Sequence, residues 1–201
     1  MNQPADFSAL ESLSYQIQHR RSIKPVDMDT TRSVEKELLL KMLENANYAP
    51  SHGLTEPWRF TVFQGESRQE LATALQQIYQ QITPAGEFRE DKMKKLGDNP
   101  LLAPVVITIG MVQRSNGKIP ELEEVEAVAC AVQNMHLTAS AAGLAAFWSS
   151  PPLLGSPQFA QWLGLQDGDR CLGLFYVGWP KAGFTWPKAV RRPYEEKVTW
   201  R

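Results

Sequence analysis

Apolar residues recur along the chain at regular spacings, and these spacings predict which segments are helical. Between positions 10 and 17 they lie three and four residues apart, which predicts a helix that ends at the basic pair Arg20–Arg21. A second helix is predicted to begin near Ser33 and to end before Pro50, because proline cannot continue a helix. The same spacing predicts further helices at 71–82, 121–143 and 158–163.

Four other segments have the composition of β-strands, namely 58–63, 104–112, 144–149 and 171–178. The run Pro104–Val112 is almost continuously apolar and rich in β-branched residues. This pattern predicts a strand that is covered on both faces and lies centrally in a sheet. The polar stretch 83–100 contains several helix breakers and is predicted to be a partly helical excursion with some mobility.

Composition limits the classes of protein to which the chain can belong. With 201 residues, 43% of them hydrophobic, a single domain spanning 1–201 is predicted. The formal net charge of -1 provides no overall positive field, so neither nucleic acid nor an anionic membrane is expected as a partner. No apolar run is long enough to cross a bilayer, and the cytoplasm is the expected compartment.

Cys130 and Cys171 lie in apolar contexts and are both predicted to be buried thiols.

Three separated segments carry groups suited to binding an anion or a cofactor. Arg20–Ser22 offers two guanidinium groups and a hydroxyl, although a basic pair at a helix end also commonly compensates the helix dipole. The segment 49–60 predicts a rigid loop that exposes His52 and leads into an aromatic strand. Gly143–Ser150 brings Trp148 and two hydroxyls to a strand end, where an ordinary core strand followed by a turn is the alternative.

In their order and separation, these segments resemble the nitroreductase family of flavoproteins. Short-chain members of that family have Arg-Arg-Ser after a first helix, then Ala-Pro-x-His leading to Pro-Trp-Arg-Phe, and later a long Ala-rich helix, Gly and Trp-x-Ser. The matching segments here are Arg20–Ser22, Ala49–His52, Pro57–Phe60, Cys130–Met135, Gly143, Trp148–Ser150, Phe175–Pro180 and Arg191–Val198. The resemblance covers nearly the whole chain, from Tyr15 to Val198.

The resemblance implies a fold and an assembly. The implied fold is α+β, a nitroreductase-like three-layer sandwich in which helices flank an antiparallel sheet. The implied assembly is a homodimer with two FMN molecules at the subunit interface. The tail beyond Gly178 has too few regularly spaced apolar residues to pack on itself. Its last part, 183–201, is therefore expected to be a C-terminal arm exchanged across the homodimer.

The resemblance also implies a set of cofactor contacts. Arg20, Arg21 and Ser22 are expected at the phosphate, the ribityl chain or the pyrimidine edge of FMN, and Tyr48 and His52 are expected to come from the other subunit. Residues 148–150 would flank the isoalloxazine, and Arg191 and Arg192 are further phosphate ligands. The complete set is Arg20, Arg21, Ser22, Lys24, Tyr48, Pro50, Ser51, His52, Trp148, Ser149, Ser150, Arg191 and Arg192.

The chemistry implied by the resemblance belongs mainly to the flavin. NAD(P)H would pass a hydride to flavin N5, and a nitroaromatic, quinone or similar electron-poor acceptor would then take its place, which gives ping-pong kinetics. No catalytic side chain and no metal are required. Arg21 or Lys24 is expected to stabilise the anionic reduced ring, and the stretch 138–143 is expected near the nicotinamide cofactor.

The sequence departs from the family pattern at positions that affect FMN binding. Ser149 and Tyr48 stand where short-chain members often have arginine, and Lys24 replaces a guanidinium fork with a point charge. Pro151 has no N–H to donate to flavin N5, so either an adjacent amide such as that of Ser150 replaces it or the reactivity of N5 is altered.

These departures leave two other functions open. One is an FMN-binding storage or redox-sensing protein with little turnover, which the loss of cationic contacts and of the Pro151 donor favours. The other is a different flavin reaction on the same scaffold, such as dehydrogenation or dehalogenation. The segment 83–99, which is expected to cover the substrate, would decide between acceptors.

Overall fold

The computed structural model describes residues 7–113 and 118–201 and contains one four-stranded sheet. Its strands are β1 (Trp58–Gln64), β2 (Val105–Met111), β3 (Ala145–Ser149) and β4 (Arg170–Gly178). Their order is β1-β2-β4-β3, and each neighbouring pair is antiparallel. All of β2 is buried and it lies inside the sheet, as its apolar run predicts.

Six α-helices alternate with these strands in the described ranges. They are α1 (Phe7–His19), α2 (Lys36–Ala46), α3 (Ser67–Ile82), α4 (Glu90–Asp98), α5 (Glu121–Ala141) and α6 (Pro157–Trp162). The excursion between α3 and β2 is partly helical, as predicted, because it contains α4 between short 3-10 turns. Helix α2 begins at Lys36 rather than near Ser33, since Glu35 still has extended backbone angles.

Two apolar clusters cover the two faces of the sheet. Alternate residues of β2 point to opposite faces, so that Ile107 and Ile109 join α2 and α5 on one side while Val106 joins α3 and α6 on the other. The sheet is thus the middle layer between two layers of helices. This is the α+β three-layer sandwich with an antiparallel sheet that the sequence predicts.

The prediction for the two cysteines is half wrong. Cys171 is buried on β4, and burial raises the pKa of its thiol to about 11. Cys130 is exposed, because α5 turns only one of its faces to the sheet. That face carries Ala127, Ala131 and their neighbours, and Cys130 lies on the opposite one. Its apolar sequence context reflects the composition of the helix and not the position of the thiol.

Two long segments of the described chain, one at each end, are left uncovered. Helix α1 has no buried residue, and Phe7, Leu10 and Leu13 are each more than half exposed. Every residue from 185 to 201 is also exposed. Exchange of this arm across a dimer stays a prediction. None of the described helices is long and apolar enough to cross a membrane.

Candidate functional site

The segment that follows α1 lies along the open edge of β3. Ser22 pairs with Ala146 in a parallel bridge, and the Ile23 amide donates to the Ala146 carbonyl at 2.9 Å. Residues 20–24 therefore run beside the strand that carries Trp148. The fold thus brings the first and third of the predicted segments together, with the exposed Lys24 two residues beyond this pairing.

Three arginines meet beside this edge. The pKa of Arg20 is lowered by its partial burial and by the positive charges of Arg191 and Arg21. Arg21 donates from Nε to the Pro187 carbonyl at 2.8 Å and from Nη1 to the Gln18 carbonyl at 2.6 Å. Among the described ion pairs, none joins a carboxylate to these three guanidinium groups. The three positive charges repel one another until an anion neutralises them. The cluster is therefore suited to bind a phosphate.

Arg192, by contrast, is not assigned to this cluster. It is exposed on the arm, and its carbonyl accepts a hydrogen bond from Lys197 Nζ at 3.2 Å. Its role as a phosphate ligand remains a prediction, as do the roles of all thirteen residues in the predicted set.

His136 supports the arginine cluster, although its sequence context gave no sign of this. The ring is buried on α5, with Arg20 Nη1 at 3.4 Å from Nδ1 and 3.3 Å from Nε2. His136 Nε2 lies 3.1 Å from the Arg21 carbonyl, to which a neutral ring can donate. Burial, followed by the charge of Arg20, lowers the pKa of His136 to about 4. A neutral imidazole therefore fixes both arginines without adding a further positive charge.

This buried histidine makes folding stability depend on pH. Because the folded-state pKa of about 4 lies below the ordinary value of 6.5, the unfolded chain binds a proton first as pH falls. The free energy of unfolding should therefore drop by up to about 3 kcal/mol between pH 6.5 and pH 4 through this residue. Urea denaturation of His136→Gln, which cannot titrate, should show a correspondingly smaller drop over that range.

The matched control for this prediction is His19→Gln, which replaces an exposed histidine at the end of α1. It should follow the wild-type stability curve. Parallel curves for the wild type and His136→Gln would contradict the assignment of a neutral, buried His136.

Trp148 and the residues after it are positioned by the β3–β4 pairing. The indole Nε1 donates to the Leu172 carbonyl at 3.3 Å. It crosses Gly173 so closely that a Cβ at that position would lie 2.1 Å from Nε1, so only glycine leaves room for the ring. Trp148 is still 36% exposed.

The direction of the Ser150 amide follows from the strand geometry. The Ala146 carbonyl points to the outer edge of the sheet, where it meets the Ile23 amide. Peptide groups four residues apart on a strand point the same way, so we expect the N–H of Ser150, the first residue beyond the end of β3, to face that edge too. Within the described ranges it has no hydrogen-bond partner. A free donor therefore stands immediately before Pro151.

The loop between α2 and β1 lies at the opposite end of α5. His52 Nδ1 contacts Glu123 Oε2 at 2.6 Å, and Thr55 Oγ1 donates to Glu124 Oε2 at 2.7 Å. Gly53 has a φ of 59°, and Leu54 and Glu56 also have positive φ. These two carboxylates hold a strained turn in a fixed shape. A turn of this kind presents its side chains with little freedom to move.

The other predicted residues of this loop face outward. Tyr48 is 80% exposed, and Pro50 is exposed as well. Ser51 Oγ accepts from the Glu56 amide at 3.3 Å. None of these groups is used to fill the core of its own chain.

One chain does not bring this loop to the arginine cluster. His52 is held at Glu123 and Arg20 at His136, and thirteen residues of continuous helix separate these two positions of α5. At 1.5 Å per residue the separation is roughly 20 Å. Within one chain, the two halves of the predicted site therefore lie beside opposite parts of α5.

The chain belongs to the Nitroreductase family, whose sequence profile matches residues 17–179. The fold, the arginine cluster beside β3 and the histidine loop all lie within or next to this span. In the part of the chain that the structure describes, no group of three or more histidine, cysteine, aspartate or glutamate residues could hold a metal ion.

Several known proteins are similar to this one. YdjA of Escherichia coli, whose name classes it with the NAD(P)H nitroreductases, is 32% identical over 72% of this chain and 77% of its own. A nitroreductase-like family protein of Bacillus cereus is 28% identical, with a TM-score of 0.77 over 100% of this chain and 98% of its own. The FMN-dependent nitroreductase NfnB of Mycobacterium smegmatis, solved with NADPH, shares the fold at 18% identity, with a TM-score of 0.72 and coverage of 96% and 99%.

Proposed function

We propose that this protein is an FMN-dependent oxidoreductase that transfers hydride from NAD(P)H to nitroaromatic, quinone or similar electron-poor acceptors. The observation that carries the proposal is the arginine cluster, which stands without a countercharge beside the edge of β3. Family membership agrees with it. The proposal treats 1–201 as one cytoplasmic unit in which 183–201 form an arm.

The cluster fits the phosphate of FMN in charge and in donor type. A phosphomonoester carries nearly two negative charges at neutral pH, and guanidinium groups bind it through paired N–H donors. Arg20, Arg21 and Arg191 would hold this group, with His136 keeping Arg20 in place. Bound phosphate would relieve the repulsion that lowers the pKa of Arg20.

The strand edge fits the flavin ring. Ser22 and Lys24 would line the ring edge, and Trp148 would flank its face. The free N–H of Ser150 faces the same edge and can serve as the donor to flavin N5 that Pro151 lacks. When bound, the flavin accepts hydride at N5 and passes the reducing equivalents on, while the protein supplies position and electrostatic stabilisation. The positive charge of Lys24 would favour the reduced ring.

A second copy of the chain would complete the site. Within one subunit the loop 48–52 and Arg20 contact different parts of α5, so we assign the loop to the FMN of the opposite subunit. The uncovered apolar surface of α1 and the exposed arm 183–201 favour a homodimer, because large uncovered apolar surfaces commonly mark subunit contacts.

The storage or sensing alternative is disfavoured by the Ser150 amide. It rests largely on the loss of an N5 donor at Pro151, and a free donor one residue earlier removes that reason. A different flavin reaction on the same scaffold would change only the acceptor, and turnover measurements decide between these possibilities.

Steady-state kinetics test the proposed function. The FMN-loaded protein should oxidise NADPH or NADH with a nitroaromatic or a quinone as acceptor, and double-reciprocal plots should be parallel because both substrates use one position in turn. Absence of turnover with any acceptor of these classes would contradict the proposal. Intersecting lines would contradict the ping-pong order.

A further inference from the structure

A cavity of about 540 Å³ opens between the sheet and the helices α3 and α4. It lies on the side of the sheet opposite α5, and its rim includes Ser149 and Pro151, which immediately follow Trp148. Leu75, Leu153 and Leu174 give it apolar walls. A cavity of this size and lining suits a small aromatic molecule. No residue of the arginine cluster contributes to it.

The floor of the cavity carries a hydroxyl group that forms no hydrogen bond within the described chain. Tyr176 on β4 is 3% exposed, and its hydroxyl forms no hydrogen bond with any described residue. Burial raises the pKa of Tyr176 far above its usual value, so the hydroxyl stays a neutral donor. Tyr176 lines the cavity, so an oxygen atom of a bound molecule could accept a hydrogen bond from its hydroxyl.

The mouth of the cavity carries two lysines. Lys92 and Lys95 lie three residues apart on α4 and therefore on the same face of the helix. Lys95 is 3.6 Å from Asp91, and Lys92 has no ion pair among the described residues. Glu87 also lines the rim and offsets one of the two charges. The mouth keeps one net positive charge, which favours an anionic group.

Packing fixes this mouth in place. A Cβ at Gly97 would lie 2.4 Å from Gln76 Nε2, so α4 rests closely on α3, and Gln76 Nε2 also donates to the Met93 carbonyl at 3.2 Å. The amide of Arg89 donates to the Tyr79 hydroxyl at 3.0 Å. Helix α4, which carries both lysines, is therefore held against α3 by several contacts. These contacts give the lysines a defined position over the cavity.

We propose that this cavity binds the electron acceptor and selects aromatic acceptors that carry a carboxylate. The carboxylate lies at Lys92 and Lys95, and an oxygen at the inner end of the acceptor accepts a hydrogen bond from Tyr176. Ser149 and Pro151 lie at the rim of the cavity and next to the expected position of the flavin ring, so an acceptor in the cavity would lie close to the ring. The inference rests on the proposed function, which supplies the reducing equivalents.

A pair of acceptors that differ only in charge tests this selection. For the FMN-loaded wild type, 4-nitrobenzoate should have a KM roughly 5- to 10-fold below that of 4-nitrobenzamide, the scale of one or two partly exposed ion pairs. The double variant Lys92→Gln, Lys95→Gln should bring this ratio close to one. Lys94→Gln is the matched control, because Lys94 lies on the same helix, pairs with Asp98 and does not line the cavity.

Calorimetric binding of 4-nitrobenzoate separates this inference from the proposed function. Tyr176→Phe should weaken binding several-fold while the melting temperature stays near that of the wild type, since phenylalanine fills the same space. An unchanged acid-to-amide ratio in the double lysine variant would overturn the inference, and so would loss of bound FMN in that variant, which would assign the cavity to the flavin. If NADPH fails to reduce the flavin but these binding effects appear, the proposed function fails, and the cavity stands as a binding site for an aromatic carboxylate but not for an electron acceptor.

Discussion

Replacing Arg20 by alanine is expected to weaken FMN binding by about 1.5–3 kcal/mol, the scale of a hydrogen bond to a charged group. Arg20 is partly buried, His136 contacts it, and the positive charges of two neighbouring arginines oppose it. Its position is therefore maintained even without an anion. Fluorescence titration of FMN into the apoprotein should show a dissociation constant raised roughly 10- to 150-fold.

Two comparisons make the Arg20 result specific. Arg170→Ala removes an arginine that pairs with Glu121 at the other end of α5 and should leave FMN affinity unchanged. The melting temperature of apo Arg20→Ala should not fall, because removing a charge relieves repulsion within the cluster. Unaltered FMN affinity in Arg20→Ala would contradict the assignment of the phosphate site.

Mixed dimers are expected to regain half of the FMN sites that two different homodimers lose. One variant carries Arg20→Ala and Arg21→Ala, and the other carries Ser51→Trp, which obstructs the histidine loop. If each site takes its arginines from one subunit and its loop from the other, a heterodimer contains one intact site and one site with both defects. Differently tagged chains, co-expressed and purified through both tags, should bind one FMN per dimer.

The alternative arrangement gives an opposite result in the same preparation. If the arginines and the loop of one chain served the same FMN, each site of the heterodimer would carry one defect, and binding would stay as low as in either homodimer. The separation of roughly 20 Å along α5 argues against that arrangement. The wild-type heterodimer, purified through the same two tags, provides the reference stoichiometry.

The periodicity of the sequence is sufficient to predict most of the fold. The β-branched run at β2 can be satisfied only by burial on both faces, and the helix spacings are long enough to be unambiguous. Helix ends are less well determined, as α2 demonstrates by starting at Lys36. The prediction for Cys130 was wrong because a residue's neighbours in sequence do not report which face of a helix it occupies.

The site was predictable in part. Arg20–Ser22 and Trp148–Ser150 carry recognisable residue types, and the fold brings them together at one sheet edge. His136 was missed because its role depends on contact with a residue 116 positions away, which no local pattern encodes. The signal that could have identified it is its place on the apolar face of α5, where an unpartnered polar ring would be costly.

An absorbance titration with FMN, followed by anaerobic addition of NADPH, tests the central claim most directly. The account predicts that FMN binds to one site per chain and that its visible band bleaches when NADPH is added, because the cofactor is bound in a form that accepts hydride. Bound FMN that keeps its oxidised spectrum would contradict the assignment as an enzyme, and a protein that binds no FMN would contradict the site itself.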